Sequence, residues 1–534
     1  MTKGLFPCLL IVCFLILVKG VSVSAQSADI IFTNGKIFTA DTNQLYVQAI
    51  AIKGNKIMAT GSNAAIQKLA TSQTKKIDLK GKTVVPGFND QHDHPAFEQS
   101  PAPLKYSFHE FNFEGLSKVT VLDSIARLLQ NSKPGEWITG MIGTQIFFDT
   151  SMRRSLDSIA PNNPVTLQIF WGHGIVTNQK ALDAAGLNDD TKNPLGGWYE
   201  RNSDDKISAV QQNAQVPFWW AISKAYPESV VKGMEEYGQE QLKGGITTTL
   251  FFGASFSFQT ATESLQKASI PQRLRIVPWP RSTPEGRQVS EWPLKETHPT
   301  SMSVVSGIKY VIDGTPIEGN ALRSKPYHNR GNGNGRLNYP VDTLREMLRE
   351  CLVAKRQIMM HITADSSFGI VLNLIKELGT AEQWRPLRVR IEHNTVGDPT
   401  PEQRRLMRDY GILMMTTPKV GAIYSPLRSL IDDGIIVGIS PDGTTNPFFE
   451  IMLMTSQQQI PGENITIEQA VIAFTKTNAY AEFTEKEKGM LKKGMLADLA
   501  VLSQDIFTIP PDKLTATVSV LTMIDGKIVY QQTQ

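Results

Sequence analysis

The sequence predicts an α/β protein, in which a parallel sheet, open or closed into a barrel, stands beside a small β domain made from both chain ends. The first observation is that short apolar strands alternate with helical stretches between about residues 86 and 489, as in parallel sheets. The second is that both ends of the chain carry short all-β segments with Gly- and Asn-containing turns. The third is size, because 534 residues with 41% hydrophobic content can bury a large core.

Composition excludes several classes of protein. With 20% charged residues, 40 Gly and 30 Pro, the chain has the balance of an ordinary globular protein, not of a disordered, collagen-like or coiled-coil one. Its formal net charge of +3 is too small for a dedicated nucleic-acid-binding protein. We therefore expect no nucleic-acid partner.

Residues 1–25 have the features of a signal peptide. Lys3 supplies a positive start, residues 5–18 are apolar, and a small-residue cleavage site precedes Gln26. The apolar run is shorter than the about 20 residues that a membrane-spanning helix needs. We expect an exported protein, periplasmic or secreted, with no membrane span after cleavage; an uncleaved N-terminal anchor is the alternative.

The three cysteines indicate that the exported protein has no internal disulfide. Cys8 and Cys13 lie in the predicted signal peptide, so only Cys351 is left after cleavage. Cys351 lies in a predicted helix, and we interpret it as a small buried apolar residue and not as a nucleophile.

Residues 26–85 are predicted to form strands joined by tight turns. The turns are Asn34-Gly35, Gly54-Asn55 and Gly81. Residues 490–534 have the same pattern, with a turn at Asp525-Gly526. We expect the two segments to form one small β domain, the alternative being two independent β decorations.

Residues 86–489 are predicted to form the main α/β domain. Strands followed by helices are predicted at 357–361 and 368–378, at 389–393 and 401–410, and at 435–440 and 448–458. Residues from about 100 to 240 are less regular and rich in aromatic residues. We interpret them as an insertion.

Four predicted strands end in side chains that can bind a metal. His92 and His94 follow an apolar strand at a spacing that puts both on one face. His361, His393 and Asp442 each follow a further apolar strand. In an α/β barrel the carboxyl ends of the strands meet on one face, where active sites lie. The pattern predicts a metal site.

The residue types also indicate the chemistry. Imidazole and carboxylate ligands suit Zn²⁺ and, less specifically, Mn²⁺, Fe²⁺ or Ni²⁺. A catalytic ion polarises a carbonyl and activates a hydroxide, while a carboxylate transfers a proton to the leaving group. The absence of a Gly-x-Ser-x-Gly motif argues against a serine hydrolase.

Six segments together resemble the amidohydrolase superfamily. The first, P-G-F-N-D-Q-H-D-H at 86–94, resembles its first-strand signature. The others are K-Y-V-I-D-G-T from Lys309, M-H-I-T-A-D from Met360, R-I-E-H from Arg390, G-I-S-P-D-G from Gly438 and G-M-L-A-D-L-A-V-L from Gly494. The chain is most similar to the branch called amidohydrolase family 3, and the resemblance covers nearly all of the mature chain.

The resemblance implies a distorted (β/α)8 TIM barrel with a composite β-sandwich formed by both chain ends. It makes His92 and His94 metal ligands from the first barrel strand, and His361 and His393 ligands from strands five and six. Asp442, at the end of strand eight, would be both a ligand and the catalytic proton shuttle.

Three further positions follow from the same resemblance. Lys309 stands where members of the superfamily can carry a carboxylated lysine that bridges two metal ions; an ordinary ion-paired lysine is the alternative. One or two divalent ions, with zinc as the expected metal, would be bound. His173 matches a Gly-His region and is expected to contact substrate, a plain loop histidine being the alternative. Gln212 replaces a usual Glu, so any acid role there is lost.

Two aspartates and three further histidines complete the set of polar residues considered for the site. Asp313 and Asp365 either orient metal ligands or cap helices. His109, His298 and His328 are given no role.

The function expected from these observations is hydrolysis of a carbon–nitrogen bond, an amide or N-acyl group, in a small molecule. The same site could instead open an ester, lactone or phosphoester. A third hypothesis is a binding protein that keeps the fold without turnover. Substrate identity and oligomeric state stay open, a homodimer being one option.

Overall fold

The computed structural model describes residue 1 and residues 27–94, 102–104, 113–328, 333–393 and 397–533, except for the side chains of 102–104, 420 and 422. The predicted signal peptide after residue 1, with Cys8 and Cys13, lies outside the described residues, as does His109. Within the described ranges, no helix is long and apolar enough to cross a membrane.

The N-terminal segment divides its strands between three sheets. It contains helix α1 (Asn63–Gln67) and the strands β1 (Ile30–Thr33), β2 (Lys36–Phe38), β3 (Tyr46–Val47), β4 (Ala49–Lys53), β5 (Lys56–Gly61), β6 (Lys75–Asp78), β7 (Thr83–Pro86) and β8 (Phe88–Asp93). One sheet has the order β5-β4-β1-β6. Strands β2, β3 and β7 belong to a second sheet, and β8 belongs to a third.

One of the three turns predicted in this segment joins paired strands. Gly54-Asn55 connects β4 to β5, with Lys53 opposite Lys56. The hairpins predicted at Asn34-Gly35 and Gly81 are wrong, because the strands on either side of each turn lie in different sheets. The chain crosses between sheets at these turns, so that side chains of β1, β2, β6 and β7 pack in or against one apolar cluster that both sheets share.

Residues of the predicted insertion form a six-stranded mixed sheet with apolar clusters of its own. Its strand order is β13-β14-β12-β11-β10-β9. The strands are β9 (Ala102–Leu104), β10 (Ile138–Ile142), β11 (Val165–Ile169), β12 (Gly174–Thr177), β13 (Gly197–Arg201) and β14 (Ile207–Gln212). The helices are α2 (Lys118–Leu129), α3 (Thr144–Phe147), α4 (Met152–Ile159), α5 (Gln179–Ala184), α6 (Val216–Ala225) and α7 (Pro227–Gly244).

Two parallel sheets follow, and they confirm the predicted α/β class. Their orders are β19-β16-β15-β8 and β20-β21-β22-β23-β24. The strands are β15 (Ile246–Phe252), β16 (Arg273–Val277), β19 (Ser303–Val305), β20 (Ile308–Val311), β21 (Ile358–His361), β22 (Arg390–His393), β23 (Leu413–Thr416) and β24 (Val437–Ile439); β17 (Ser282–Thr283) and β18 (Gly286–Arg287) form a separate pair.

Helices alternate with these strands and cover one of their faces. They are α8 (Phe258–Lys267), α9 (Val341–Val353), α10 (Asp365–Leu378), α11 (Ala381–Trp384), α12 (Pro401–Tyr410), α13 (Leu427–Asp432), α14 (Pro447–Ser456), α15 (Ile467–Ile472) and α16 (Asn478–Ala481). Cys351 is buried in α9, as the sequence predicted, and burial raises the pKa of its thiol to about 12.

Hydrogen bonds join the two parallel sheets at two places. At one edge the backbone N–H of Asp442 donates to the carbonyl oxygen of His92 at 3.0 Å. The side chain of Asn478 also donates to backbone oxygens of both β8 and β24 there. At the second place the N–H of Lys309, in β20, donates to the carbonyl of Pro278, the residue after β16, at 2.9 Å. The strand ends are thereby brought into one region.

The C-terminal strands complete the second N-terminal sheet. They are β25 (Leu499–Leu502), β26 (Ser519–Ile524) and β27 (Lys527–Gln531), and the sheet has the order β27-β26-β25-β7-β2-β3. The predicted hairpin at Asp525-Gly526 joins β26 to β27. One apolar cluster contains Phe32 of the first sheet together with Leu499 and Met523 of the second. The two sheets therefore share a core.

Candidate active site

The predicted site residues meet where β8, β21, β22 and β24 end. Asp442 lies at the centre: one of its oxygens is 3.8 Å from Nε2 of His92 and 3.7 Å from Nε2 of His94. Its other oxygen is 3.9 Å from Nδ1 of His393. Among the described residues, the ligand atoms of His92, His94 and Asp442 all lie within 4.8 Å of one another, close enough to share one ion.

The remaining predicted histidines extend this group as a row of rings. The ring of His393 lies 4.6 Å from that of His92 and 4.4 Å from that of His361, measured between centroids. The ring of His173 lies 4.8 Å from that of His361 on the far side. Four separate elements thus supply one continuous cluster of imidazoles.

The backbone is unusual at two of these residues. His393 and Asp442 have φ values of 82° and 52°, in the left-handed region that side-chain-bearing residues rarely adopt. Strand register pairs His361 with Glu392, and the ring of the next residue, His393, lies beside that of His361. Such conformations cost roughly 1 kcal/mol or more each and are found preferentially at active sites.

A buried carboxylate that the sequence analysis missed orients His92. Oε2 of Glu392 lies 2.8 Å from Nδ1 of His92, and the guanidinium of Arg390 donates to both oxygens of Glu392 at 2.8 and 3.0 Å. Because Nδ1–H is given to Glu392, Nε2 of His92 carries the lone pair that faces Asp442. Carboxylates hold metal-binding histidines in this way.

Burial sets the charge state of the imidazoles. It lowers the pKa of His92, His361 and His393 well below the usual value, and that of His94 to about 4, although the Asp442 carboxylate opposes the shift at His94. The rings are therefore neutral at pH 7, which is the form that binds a metal ion.

Lys309 lies beside the cluster, beneath an aromatic ring. Its Nζ is 4.1 Å from the centroid of the Phe252 ring, which itself contacts the ring of His92 at 4.5 Å. The side chain is buried, and Nζ has no hydrogen-bond partner and no carboxylate within 4.0 Å in the described part of the chain. The ion-paired lysine considered above is therefore not observed. Burial lowers the pKa of Lys309 to about 8.

His173 is held by a second carboxylate that the sequence analysis missed. It lies on the loop between β11 and β12, and its Nδ1 is 2.9 Å from Oε1 of Glu318. The side chain of Gln212 donates weakly to both oxygens of Glu318, at 3.4 and 3.3 Å. Gln212 therefore serves as a hydrogen-bond donor to a carboxylate.

Asp313 and Asp365, to which the sequence assigned either ligand orientation or helix capping, both hold loops through hydrogen bonds. Asp313 is buried and accepts hydrogen bonds from the N–H of Thr363 at 3.0 Å and from the hydroxyl of Ser367. It fixes the loop that follows His361. Asp365 begins α10 and accepts from Ser324.

Comparison with known proteins places these features in a family. A sequence model described as "Amidohydrolase family" matches residues 75–530. Protein LONG AFTER FAR-RED 3 of Arabidopsis thaliana is 25% identical, over 94% of this chain and 92% of its own length. An N-substituted formamide deformylase of Arthrobacter pascens is 23% identical, over 95% of this chain and 99% of its own length.

Solved structures share the fold. An uncharacterized metal-dependent hydrolase from Pyrococcus furiosus matches with a TM-score of 0.65 and 18% identity, covering 90% of this chain and 100% of that one. A variant of atrazine chlorohydrolase from Arthrobacter aurescens, complexed with zinc and atraton, matches with a TM-score of 0.52 and 13% identity, covering 94% and 95%. These matches identify a TIM-barrel-like α/β fold.

Proposed function

Because the chain belongs to the amidohydrolase family, we propose that it is a metal-dependent hydrolase that cleaves a non-peptide amide or N-acyl C–N bond in a small molecule. The observation that carries this proposal is the cluster of His92, His94 and Asp442, whose ligand atoms lie within 4.8 Å of one another. Similarity to an N-substituted formamide deformylase supports the choice of a C–N bond.

The donor set fits a divalent metal ion. Neutral imidazoles and a carboxylate are ligands that zinc prefers, and one structural relative was solved with zinc. His92, His94 and Asp442 would hold a first ion. When bound, such an ion supplies Lewis acidity and lowers the pKa of a water molecule to about 7.

A second ion would need Lys309 in a different chemical form. A buried amine whose pKa is about 8 is partly unprotonated at neutral pH and can react with carbon dioxide to give a carbamate anion. That anion, with His361 and His393 nearby, would complete a second position. We propose this carboxylated form because the amine has no partner among the described residues.

Proton transfer, ligand orientation and substrate contact are assigned to different residues of the chain. Asp442 can accept a proton from the attacking water and pass it to the leaving nitrogen. Glu392 fixes the tautomer of His92. We propose that His173, which Glu318 orients, contacts the substrate. The Phe252 ring contacts the rings of His92 and His94 and would shield that side of the site from water.

We also propose an overall architecture for the chain and its export from the cell. We propose that the two parallel sheets close into a distorted (β/α)8 barrel at residues 86–489, with a composite β-sandwich from residues 26–85 and 490–534. Hydrogen bonds between the two parallel sheets and the core shared by the terminal sheets support this arrangement.

The signal-like residues 1–25 support export to the periplasm or medium.

The test is a substrate screen of the metal-loaded protein. Formamides, N-acyl amino acids and cyclic amides would be compared with matched esters and lactones, with metal content measured on the same samples. We expect hydrolysis of at least one C–N substrate. Turnover of esters or lactones alone would indicate the esterase alternative, and a metal-loaded protein without any turnover would indicate a binding protein.

A further inference from the structure

Strand β8 contains a β-bulge at the position of the first candidate metal ligand. Thr249 of β15 pairs with Asp90, and Phe251, two residues further along β15, pairs with Asp93, three residues further along β8. Strand β8 therefore has one extra residue between these two pairs, which is the definition of a bulge. Bulges change the direction in which side chains point and are frequent beside active sites.

The bulge places Asp90 and Asp93 on the same face of the sheet. In a regular strand, residues three positions apart point to opposite faces, so without the extra residue one of the two carboxyl groups would point the other way. The face that they share is covered by helix α7, because the hydroxyl of Thr249, the pairing partner of Asp90, donates to Gln241 of that helix at 2.7 Å. Both aspartates are buried there.

Helix α7 holds Asp93 through two side chains that lie one helical turn apart. The hydroxyl of Tyr237 donates to Oδ2 of Asp93, and the amide of Gln241 donates to the same oxygen more weakly, at 3.4 Å. Burial, together with the nearby carboxylates, raises the pKa of Tyr237 well above its usual value. The phenol therefore keeps its proton and remains a hydrogen-bond donor to Asp93.

The two aspartates in turn hold the backbone of the histidine pair. Oδ1 of Asp93 accepts a hydrogen bond from the N–H of His94 at 2.7 Å, and Oδ1 of Asp90 accepts one from the N–H of His92 at 3.1 Å. The other oxygen of Asp93 is the one that Tyr237 binds. A single carboxyl group thus connects helix α7 to the backbone of His94.

His94 lies on the more open side of the candidate metal site. Its side chain is 20% exposed, whereas that of His92 is 1% exposed and is also bound by the Glu392 carboxylate. A metal-binding side chain must be held within roughly 0.5 Å of its working position by the groups around it. A carboxylate on the backbone N–H of His94 restricts the position of that residue directly.

We propose that Tyr237 is a positioning residue: acting through Asp93, it fixes the place of His94 and thereby strengthens the binding of a divalent ion. The proposal rests on the metal-binding part of the proposed function and does not depend on which bond is cleaved. The alternative is that the hydroxyl only anchors α7 to the sheet. In that case its removal would lower the stability of the protein without changing the metal affinity of the folded form.

Cobalt binding to Tyr237→Phe tests the proposal, because this change removes only the hydroxyl. We expect the Kd for Co²⁺, measured in competition with a chelator, to rise about tenfold, as when other groups that orient metal ligands are removed. The visible absorption spectrum of the bound cobalt should also change, since it depends on the geometry of the ligands. Tyr226→Phe is the matched control: Tyr226 precedes the same helix, and its hydroxyl accepts the N–H of Trp137 at 2.9 Å. It should keep both the wild-type Kd and the wild-type spectrum.

A double-mutant cycle shows whether the hydroxyl acts through Asp93. Asp93→Ala should also raise the Kd for Co²⁺, and adding Tyr237→Phe to it should have little further effect, because the carboxylate that transmits the contact is then absent. Additive effects of the two changes would contradict the pathway through Asp93. If Tyr237→Phe does not fold, Gln241→Met removes the neighbouring donor to Asp93 and should raise the Kd about threefold.

The metal affinity and the hydrolysis of substrates are measured separately, so the two proposals can fail independently. An unchanged Kd and spectrum in the folded variant would overturn the positioning role and leave the proposed function standing in a protein that cleaves C–N substrates. Weaker cobalt binding by the variant, in a protein whose wild type cleaves no C–N substrate, would support the positioning role and refute the proposed function. A wild-type protein that binds no cobalt would also overturn the positioning role.

Discussion

The carboxylate of Glu392 binds Nδ1 of His92 at 2.8 Å, although the two residues are 300 positions apart. His92 lies in β8, in one parallel sheet, and Glu392 lies in β22, in the other. The contact therefore joins the two sheets at the candidate metal site. It also determines which nitrogen of His92 is free to bind an ion.

We expect Glu392→Gln to weaken metal binding about 10- to 100-fold, because the amide no longer fixes the His92 tautomer with a charged acceptor. The change also leaves buried Arg390 without its counter-ion, which typically destabilises a protein by about 3–5 kcal/mol. Competition with a chelator gives the affinity and thermal unfolding gives the stability. Glu236→Gln, at an exposed glutamate, is the control. Unchanged affinity in a folded Glu392→Gln protein would contradict the role.

Removing either histidine of the first strand should remove the metal. His92→Ala and His94→Ala each delete one of the three donors within 4.8 Å, so most bound metal and nearly all turnover should be lost. Elemental analysis of the purified variants measures this. His298→Ala, at a histidine whose side chain is 63% exposed, should keep both. Full metal occupancy in both site variants would show that the ligand assignment is wrong.

The proposed carboxylation of Lys309 predicts the number of ions. A carbamate can bridge two cations, whereas an ammonium repels them, so the wild-type protein should bind about two ions per chain. Lys309→Ala should lose at least one of them, and added bicarbonate should raise the metal content of the wild type only. One ion in both proteins would leave Lys309 with a structural role.

Asp442→Asn separates proton transfer from metal binding. The amide retains one oxygen that can bind the ion but cannot accept a proton, so kcat should fall at least about a hundredfold. Metal content should fall less than in the histidine variants. The decrease in kcat should be smaller for substrates with good leaving groups, which need less protonation. Near-normal kcat on an amide would exclude the proton-shuttle role.

The raised pKa of Asp313 predicts how the free energy of unfolding depends on pH. Burial raises its pKa from 3.8 to about 7, so the folded protein holds this proton more tightly than the unfolded chain. The group therefore favours folding at low pH, and that contribution is lost as pH rises through 7. The Asp313→Asn variant has no such proton to lose. The free energy of unfolding of the variant minus that of the wild type should therefore become more positive between pH 5 and pH 8, by roughly 2–3 kcal/mol.

Thermal unfolding across that pH range measures the difference. Asp365→Asn is the matched control, because hydrogen bonds from Ser324 and Ser366 outweigh partial burial and lower the pKa of Asp365 below 3.8. Its difference from wild type should be constant above pH 5. If the difference in unfolding free energy between Asp313→Asn and the wild type is also independent of pH, the pKa of Asp313 is not raised.

Sequence signals predicted elements well where one segment contains all the information. Helix α12 spans Pro401–Tyr410, the bounds expected from the sequence. Thr400 caps its start with the help of Gln403, and Gly411 ends it at a φ of 66°. Each of these interactions is made within a few residues, so the local sequence is sufficient.

Pairing between strands was harder to predict, because a strand's partner is chosen by distant residues. The Asn34-Gly35 dipeptide is typical of a hairpin turn, yet β1 pairs with β4 and β6 while β2 pairs with β3 and β7. Side chains from both sheets pack instead in one shared apolar cluster. The residues of the turn alone could not show which strands pair.

The supporting carboxylates were missed for the same reason. Glu392 and Glu318 orient His92 and His173, and both contacts join residues more than a hundred positions apart. One signal was present: Arg390 and Glu392 alternate within a short apolar strand, where charged residues are seldom buried unless paired. Charges in such a strand indicate a polar network inside the protein.

The pairing of β7 with β25, in which Val85 lies opposite Ala500, has a consequence for synthesis. A growing polypeptide presents β7 on the ribosome long before β25 exists, and at usual elongation rates the delay is roughly 20–80 s. Throughout that interval the unpaired edge of β7 can pair with another nascent chain. Truncation before Leu499 should therefore yield aggregates instead of a smaller soluble enzyme.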